Sequence, residues 1–142
     1  MEMNLTITEA AGVIILFEEK VLLLLRSEKD SYPLTWGLPA GGIEKYEMPL
    51  KTAIRETQEE TGIQLEKTML NNYKKYTFQR AKNSLFYFHS FQTSLETMPK
   101  VKIDQSEHID FKWFTKGEVL KTHNLIADLE FVLRDQKFLE SV

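Results

Sequence analysis

The stretch GGIEKYEMPLKTAIRETQEETGI, residues 41–63, decides the fold. Proline is favoured in the first turn of a helix, and glycine is common just after the last turn. Pro49 and Gly62 occupy those two positions around a run of good helix formers. The pattern therefore predicts a helix that begins near Met48 or Pro49 and ends at Gly62, with a glycine-containing loop ahead of it.

Three glutamates form a stripe along this predicted helix. Glu56, Glu59 and Glu60 are three and four positions apart, so their side chains point the same way and repel one another. Glu59 and Glu60 also fall in the last turn, where the helix dipole is negative. Cations would relieve this repulsion, and carboxylates suit hard divalent ions such as Mg²⁺ or Mn²⁺. We call these three residues the carboxylate stripe.

Composition narrows the class of protein. The chain has 142 residues, of which 42% are hydrophobic, which predicts one domain over residues 1–142. A net charge of −3 gives no general attraction to nucleic acid or to an anionic membrane, so neither partner is expected. There is no cysteine, which excludes disulfides. The N-terminus lacks a signal peptide and the apolar runs are too short to span a bilayer, so we expect a cytoplasmic protein.

The rest of the chain alternates strand-like and helix-like segments. Two runs rich in Val, Ile and Leu predict buried strands, residues 27–35 and 36–43 are predicted loops, and a hairpin and a short strand follow the first helix. Two further helices are expected near the C-terminus. The predicted strands are 10–17, 21–26, 73–80, 84–93 and 109–114, and the predicted helices are 49–61, 116–121 and 125–139. This order predicts an α/β layered domain with a mixed sheet.

Read as a pattern, residues 41–63 are G-x5-E-x7-R-E-x-x-E-E-x-G-I, which resembles the box of the Nudix hydrolases, G-x5-E-x7-R-E-U-x-E-E-x-G-U with U aliphatic. The family's W-x-L-P-x-G run also precedes the box here, at residues 36–41. The resemblance implies an α/β/α sandwich with a central mixed β-sheet and a loop–helix–loop catalytic motif. The matching box positions are Gly41, Glu47, Arg55, Glu56, Glu59, Glu60, Gly62 and Ile63.

The reaction that the resemblance implies is metal-dependent hydrolysis of a diphosphate linkage in a nucleoside-diphosphate-X compound. Mg²⁺ or Mn²⁺ on the carboxylate stripe (Glu56, Glu59 and Glu60) would neutralise phosphate charge and acidify a bound water. By the same analogy the backbone carbonyl of Ala40 is a further metal ligand. Arg55 and Glu47 are expected to form an ion pair that orients the carboxylates.

Substrate approach and the general base are further expectations. Gly41 and Gly42 are expected to let the backbone come close to the metal and the phosphates. The general base varies within the family, and two residues are candidates here. One is Glu56 of the box, and the other is Glu107, which lies in a loop after the box.

Two positions depart from the family pattern, and one histidine is ambiguous. Thr57 places a hydroxyl where the family has an aliphatic side chain, and that hydroxyl is able to bond back to the carbonyl of Ala53. Tyr46 stands where glycine is usual, which would strain the backbone if φ is positive there. His108 is predicted to be a packing or loop residue rather than a ligand. Four cations around the hairpin are predicted to be solvated, with contact to phosphates or bases as the alternative: Lys74, Lys75, Arg80 and Lys82.

The substrate stays open among several small nucleotides. The run at 55–60, together with Glu107 and His108 ahead of Trp113, is similar to dinucleoside tetraphosphate hydrolases, and the Glu–His pair also occurs in enzymes of nucleoside triphosphates. These two classes rank first. Residues 38–41 resemble ADP-ribose pyrophosphatases, so nucleotide sugars come next. A non-catalytic nucleotide-binding module and an RNA 5′-end pyrophosphohydrolase are the remaining alternatives for the function. For the assembly, a homodimer is left open.

Overall fold

The computed structural model describes residues 4–140 and contains seven strands, three helices and one short 3-10 helix. The bounds are β1 Thr6–Phe17, β2 Lys20–Arg26, β3 Trp36–Gly37, β4 Ala40–Gly42, α1 Pro49–Thr61, the 3-10 helix Lys67–Met69, β5 Asn71–Ala81, β6 Ser84–Ser94, β7 His108–Phe114, α2 Lys116–Lys121 and α3 Leu129–Asp135. The predicted hairpin and both of the first two predicted strands are present.

All seven strands belong to one mixed sheet. The main order is β3-β2-β1-β6-β5, with β4 paired to β1 and β7 paired to β2. Strand β1 runs parallel to β6 and antiparallel to β2 and β4. The long central strand β1 therefore connects the short strand β4 to the body of the sheet.

Helices cover both faces of the sheet because β1 and β2 alternate their apolar side chains. On one face Val13 and Ile15 belong to a core that includes Ala53 of α1. On the other face Ile14 belongs to a core that includes Leu133 of α3. Strands buried on both sides read as continuous apolar runs, which is the pattern that the sequence has here. The predicted α/β/α sandwich with a mixed central sheet is confirmed.

Helix α1 has the predicted bounds. Met48 precedes it in an extended conformation and Pro49 opens the first turn. Gly62 ends it with φ +76°, and the Gly62 N–H donates to the Gln58 carbonyl at 2.9 Å. A left-handed residue after the last turn is the conformation that glycine adopts at least cost. No basic residue lies in the last turn, so none there offsets the negative end of the helix dipole, which opposes the charges of Glu59 and Glu60.

The prediction of a loop over residues 36–43 is wrong in part. Trp36–Gly37 pairs with β2, and Ala40–Gly42 pairs with β1 opposite Ala10–Gly12. These strands come together because Gly12 has no side chain. A Cβ at Gly12 would lie 2.5 Å from the Ala40 Cβ and 2.7 Å from the Pro39 carbonyl oxygen. Tertiary pairing thus orders a segment whose composition favours a loop.

The predicted helix over residues 125–139 is shorter in the structure. Leu125 forms a bridge with Trp36, which holds the first residues of the segment in an extended conformation. Asp128 (φ +72°) then precedes α3, and Lys137 (φ +68°) follows it. The apolar residues at helical spacing still pack on the core, but the helix covers only Leu129–Asp135.

Between residues 4 and 140, no helix has both the length and the apolar composition needed to cross a membrane. The prediction of one domain over residues 1–142 stays a prediction, and its first three and last two residues lie outside the described part of the chain.

Candidate active site

Arg55 and Glu47 form the predicted ion pair. Arg55 Nε donates to Glu47 Oε2 at 2.8 Å and Nη2 donates to Oε1 at 2.9 Å, which is the bidentate geometry of a guanidinium on a carboxylate. Thr52, one turn before Arg55, adds a hydroxyl donor to Glu47 at 2.6 Å. The hydrogen bonds from Arg55 and then Thr52 lower the pKa of Glu47 to about 2, so this carboxylate stays ionised.

The same guanidinium reaches the carboxylate stripe. Arg55 Nη1 donates to Glu56 at 2.9 Å and to both oxygens of Glu59 at 3.3 Å, and Nη2 donates to the Gly42 carbonyl at 3.3 Å. One side chain therefore ties the loop before α1 to two of the three stripe glutamates. That this arrangement orients metal ligands stays a prediction.

Glu60 is the buried member of the stripe. Its residue surface is 4% exposed, and its carboxylate accepts a hydrogen bond from the Ala40 N–H at 3.0 Å. Burial, together with the negative charge of Glu56, raises the pKa of Glu60 to about 9, although the Ala40 N–H opposes the shift. Burial thus favours the protonated form of Glu60, and a bound cation would favour its ionised form.

Two consecutive glycines differ in their surroundings. A Cβ built on Gly41 would overlap the carboxyl carbon and both carboxyl oxygens of Glu56, so a larger residue here would displace that carboxyl group from its place against β4. A Cβ on Gly42 would meet nothing within 4 Å. Close packing on a side chain is therefore seen at Gly41, and the approach of both glycines to metal and phosphates stays a prediction.

Glu107 lies in the exposed loop before β7, within electrostatic reach of the stripe. Partial burial raises its pKa first, and the charges of Asp104, Glu56 and Glu59 raise it further. The structure therefore brings this late candidate base toward the stripe. The next residue, His108, is buried, and burial lowers its pKa, which is consistent with a packing histidine.

The two departures from the family pattern have different outcomes. Tyr46 has φ +67°, so tyrosine adopts a left-handed conformation there, and its side chain is 92% exposed. Thr57 is fully buried, and its hydroxyl has no hydrogen-bond partner among the described residues. The expected bond from Thr57 to the Ala53 carbonyl is therefore absent, which leaves an uncompensated polar atom in the core beside α1.

A cavity of about 480 Å³ lies beside strand β4. Small-molecule sites commonly enclose about 300–1,000 Å³, so the volume suits a nucleotide-sized ligand. Strand β4 forms one part of the wall, and the opening turn of α3 forms another. The remaining wall is mostly apolar and aromatic, and its rings include Phe78, Phe86 and Phe88. A few polar side chains also line it: Arg26, Tyr32, Arg80 and Asp128.

Sequence reasoning favoured a solvated Arg80 and did not identify its partners in that wall. Arg80 was expected to be an ordinary solvated cation, but its side chain is 22% exposed and lies over the rings of Phe86 and Tyr32, with guanidinium-carbon to ring-centroid distances of 4.5 and 5.5 Å. Asp128 pairs with Arg80 at 3.5 Å. These residues come from four separate segments, so no spacing in the sequence signals their proximity.

A family model describes most of the chain. The model of the NUDIX domain matches residues 6–136, which include the carboxylate stripe, β4 and the cavity wall. The chain belongs to the NUDIX family. The resemblance that the box residues carried is thereby confirmed across the whole sheet and its helices.

Solved NUDIX structures share this fold. The MutT protein from Methanosarcina mazei Go1 superposes with a TM-score of 0.76 at 23% identity, covering 97% of this chain and 94% of that one. An Ap4A hydrolase from C. elegans, solved as a binary complex, superposes with a TM-score of 0.70 at 26% identity, covering 93% of this chain and 92% of that one.

Curated relatives of this NUDIX chain match over a short segment. An RNA pyrophosphohydrolase of Rhizobium meliloti (strain 1021) is 54% identical over 37 residues, which is 26% of this chain and 22% of that protein. A second one, from Agrobacterium fabrum, has the same identity over the same length. The matched segment therefore spans about a fifth of these relatives.

NUDIX proteins generally use a divalent metal ion, and the donor set here fits one. Within residues 4–140 no three His, Asp or Glu side chains are gathered closely enough to form a metal cage. Glu56 and Glu59 accept hydrogen bonds from Arg55, and Glu60 accepts one from the Ala40 N–H. The stripe nevertheless offers only oxygen ligands. Burial and the neighbouring charge of Glu56 both raise the pKa of Glu60. Oxygen ligands and unbalanced negative charge suit Mg²⁺ or Mn²⁺.

Proposed function

We propose that this NUDIX protein is a metal-dependent pyrophosphohydrolase that cleaves a diphosphate linkage in a small-molecule nucleotide. One observation carries the proposal. The buried Glu60 carboxylate and its neighbour Glu56 lie against the Ala40–Gly42 backbone, and that backbone lines a cavity of about 480 Å³. A cation site beside a nucleotide-sized cavity is what hydrolysis of a phosphoanhydride requires.

The residues divide the work as follows. A divalent ion, when bound, neutralises the phosphates and acidifies a water. Glu56, Glu59, Glu60 and the carbonyl of Ala40 would hold it. Arg55 is fixed on Glu47 by two hydrogen bonds, and it thereby holds the stripe glutamates in a set position relative to the loop before α1.

The general base is Glu56 or Glu107. Glu56 lies next to the buried Glu60, so a proton taken from water would be accepted close to the metal ligands. Glu107 has a raised pKa, which brings its basicity nearer to neutral pH, as a general base needs. A Glu107→Gln variant that keeps full activity would assign the role to Glu56.

Nucleoside triphosphates and dinucleoside polyphosphates are the first candidate substrates, and nucleotide sugars such as ADP-ribose are the alternative. The similarity to the C. elegans Ap4A hydrolase, at 26% identity over most of both chains, supports the dinucleoside class. The short matches to RNA pyrophosphohydrolases favour a second candidate, an RNA 5′ end, whereas the net charge of −3 argues against long RNA contacts.

The test is release of phosphate or pyrophosphate from a panel with Mg²⁺ or Mn²⁺: nucleoside triphosphates, dinucleoside polyphosphates, ADP-ribose and 5′-triphosphate RNA. We expect turnover of at least one small nucleotide, and a loss of roughly 100-fold or more in Glu60→Gln. Glu96→Gln, an exposed glutamate away from the stripe, is the matched control and should keep full activity.

Two outcomes would contradict the proposal. Wild-type protein that turns over no member of the panel but binds nucleotide would be a non-catalytic binding module. Full activity in Glu60→Gln would remove Glu60 from the metal site. A homodimer and the cellular location expected from the sequence stay predictions.

A further inference from the structure

The cavity wall contains a stack that the phosphate chemistry does not use. Arg80, near the end of β5, has its guanidinium carbon 4.5 Å from the Phe86 ring centroid and 5.5 Å from that of Tyr32. Phe86 belongs to β6, and Tyr32 belongs to the loop between β2 and β3. We call Tyr32, Arg80 and Phe86 the Arg80 stack. It joins a loop to the sheet at the edge of the cavity.

The loop that carries Tyr32 is held by its own ion pair. Arg26 Nε and Nη2 donate to the two oxygens of Asp30 at 2.8 and 2.9 Å, and the Tyr32 N–H donates to Asp30 Oδ1 at 2.8 Å. Arg26, at the end of β2, therefore anchors the loop, and Asp30 sets the position of Tyr32. These hydrogen bonds fix the backbone of the loop that places the tyrosine ring at the cavity.

Asp128 gives the stack a second polar group. Its Oδ2 lies 3.5 Å from Arg80 Nη1, and it is the ion-pair partner that the described residues give this arginine. A guanidinium has five N–H donors, so one long contact leaves most of them available. Asp128 offers acceptors beside them. The wall therefore presents hydrogen-bond donors and acceptors side by side, next to aromatic faces.

The cavity is thus polarised along its wall. At β4 its lining is backbone next to Glu56 and Glu60, which suits phosphate and metal. Around the Arg80 stack its lining is aromatic rings with one donor and one acceptor group, as a flat heteroaromatic ring requires. A nucleotide has these two chemistries joined through a sugar.

We propose that Arg80 is the residue that recognises the nucleobase of the substrate, by donating hydrogen bonds to the base from the guanidinium N–H groups that Asp128 leaves available, while the rings of Phe86 and Tyr32 hold the guanidinium in place. The inference rests on the proposed function, because it takes the ligand to be a nucleotide. The planar guanidinium is essential to this role, since lysine carries the same charge but lacks the forked set of donors and the flat face that packs on the two rings. Arg80 is a specificity-determining residue and takes no part in bond cleavage.

The test compares two ligands that share a phosphate and a ribose but differ in the base. Binding of adenosine monophosphate and of ribose 5-phosphate is measured by calorimetry, without divalent metal, for wild type, Arg80→Ala and Arg80→Lys. We expect wild type to prefer adenosine monophosphate by about tenfold or more, because only that ligand has a base to accept the Arg80 hydrogen bonds. Both variants should lose that preference and keep the wild-type affinity for ribose 5-phosphate.

A matched control separates this role from a general effect of charge. Arg134 is an exposed arginine on α3 that pairs with Glu130 at 3.4 Å and does not line the cavity. Arg134→Ala should bind both ligands as wild type does. Circular dichroism checks that each variant is folded, and Arg80→Lys, which keeps the charge, covers the case in which Arg80→Ala is not.

Three results would overturn the inference: no preference for the base in wild type, wild-type affinities in Arg80→Lys, or an equal loss of both ligands in Arg80→Ala, which would make Arg80 a phosphate ligand. The proposed function fails separately. Base-dependent binding that Arg80 controls, in a protein without turnover, would contradict hydrolysis and leave the recognition role standing. Turnover together with an unchanged base preference in the variants would support hydrolysis and overturn the recognition role.

Discussion

The Arg80 stack lines the cavity, whereas the carboxylate stripe lies against β4, whose backbone lines the same cavity, and the two regions are built in different ways. Every stripe residue comes from one helix, and its partners Ala40, Gly41 and Glu47 precede it within about twenty residues. The Arg80 stack combines Arg80 and Phe86, from the two strands of one hairpin, with Tyr32, which lies in the distant loop between β2 and β3. Chemistry common to a family can therefore be encoded by local spacing, whereas the recognition of one ligand depends on tertiary structure.

This difference predicts two kinds of kinetic effect. Changes at the stripe should act on the chemical step, and hence on kcat, because they move groups next to the reacting phosphate. Changes at the Arg80 stack should act on KM, because the base is bound equally in the ground state and the transition state. The comparison fails if the two regions give the same pattern.

Gly41→Ala is the substitution with the largest expected effect. Its Cβ would overlap the Glu56 carboxyl group, so the glutamate must move by an ångström or more. Displacements of that size cost roughly 100-fold in rate, and we expect kcat to fall by that factor. Gly42→Ala, whose Cβ would meet nothing within 4 Å, is the matched comparison and should lose far less. Equal losses measured in steady-state kinetics would refute the steric account.

Tyr32→Ala tests the cavity side of the comparison. It removes the ring that faces Arg80 at 5.5 Å and leaves the stripe untouched. We expect KM to rise about tenfold with kcat unchanged, because one aromatic contact to the base region is lost. Tyr32→Phe keeps the ring and should resemble wild type. A fall in kcat in Tyr32→Ala would show that the loop also serves the chemical step.

Thr57→Val has the smallest expected effect and concerns stability. The Thr57 hydroxyl is buried without a partner, so replacing it with a methyl should stabilise the protein by about 1 kcal/mol in urea unfolding. Thr61 is the matched residue one turn later, and its hydroxyl donates to the Thr57 carbonyl at 2.6 Å and accepts from the Ile63 N–H at 3.1 Å. Thr61→Val should destabilise by a similar amount. Destabilisation in Thr57→Val would mean that the hydroxyl is satisfied in solution.

The parts of the fold that follow from short-range rules could be predicted from the sequence. Pro49 and Gly62 bound α1 as expected, and alternation of apolar residues gave β1 and β2. What failed depends on distant partners. Strand β4 forms because Gly12 admits Ala40, and α3 is shortened because Leu125 pairs with Trp36. Neither contact leaves a periodic signal in the segment that it changes.

The candidate site divides in the same way. The box spacing identified the Arg55–Glu47 pair, which the structure contains, but gave no indication that Thr52 completes it. It suggested Glu107 as a candidate base, and only the structure brings that loop toward the stripe. Arg80 has no motif around it, and a lone arginine on a hairpin is ordinarily solvated. Its position over two rings is a property of the folded chain alone.

Proton release on metal binding tests the central claim most directly. Burial raises the pKa of Glu60 to about 9 in the folded protein without metal, whereas the unfolded chain releases this proton near the ordinary glutamate pKa of 4.5. Between these values the folded state binds more protons, so this group makes the metal-free protein less stable as pH rises through that window. A divalent ion needs the ionised carboxylate, so at pH 7 it must displace that proton.

The measurement is calorimetric titration with Mn²⁺ at pH 7 in two buffers of different ionisation enthalpy, for wild type and Glu60→Gln. We predict that wild type binds Mn²⁺ and releases about one proton per protein molecule, and that Glu60→Gln releases none. Binding of Mn²⁺ to wild type without proton release, or an equal release from the variant, would contradict the claim that the buried Glu60 carboxylate is a metal ligand.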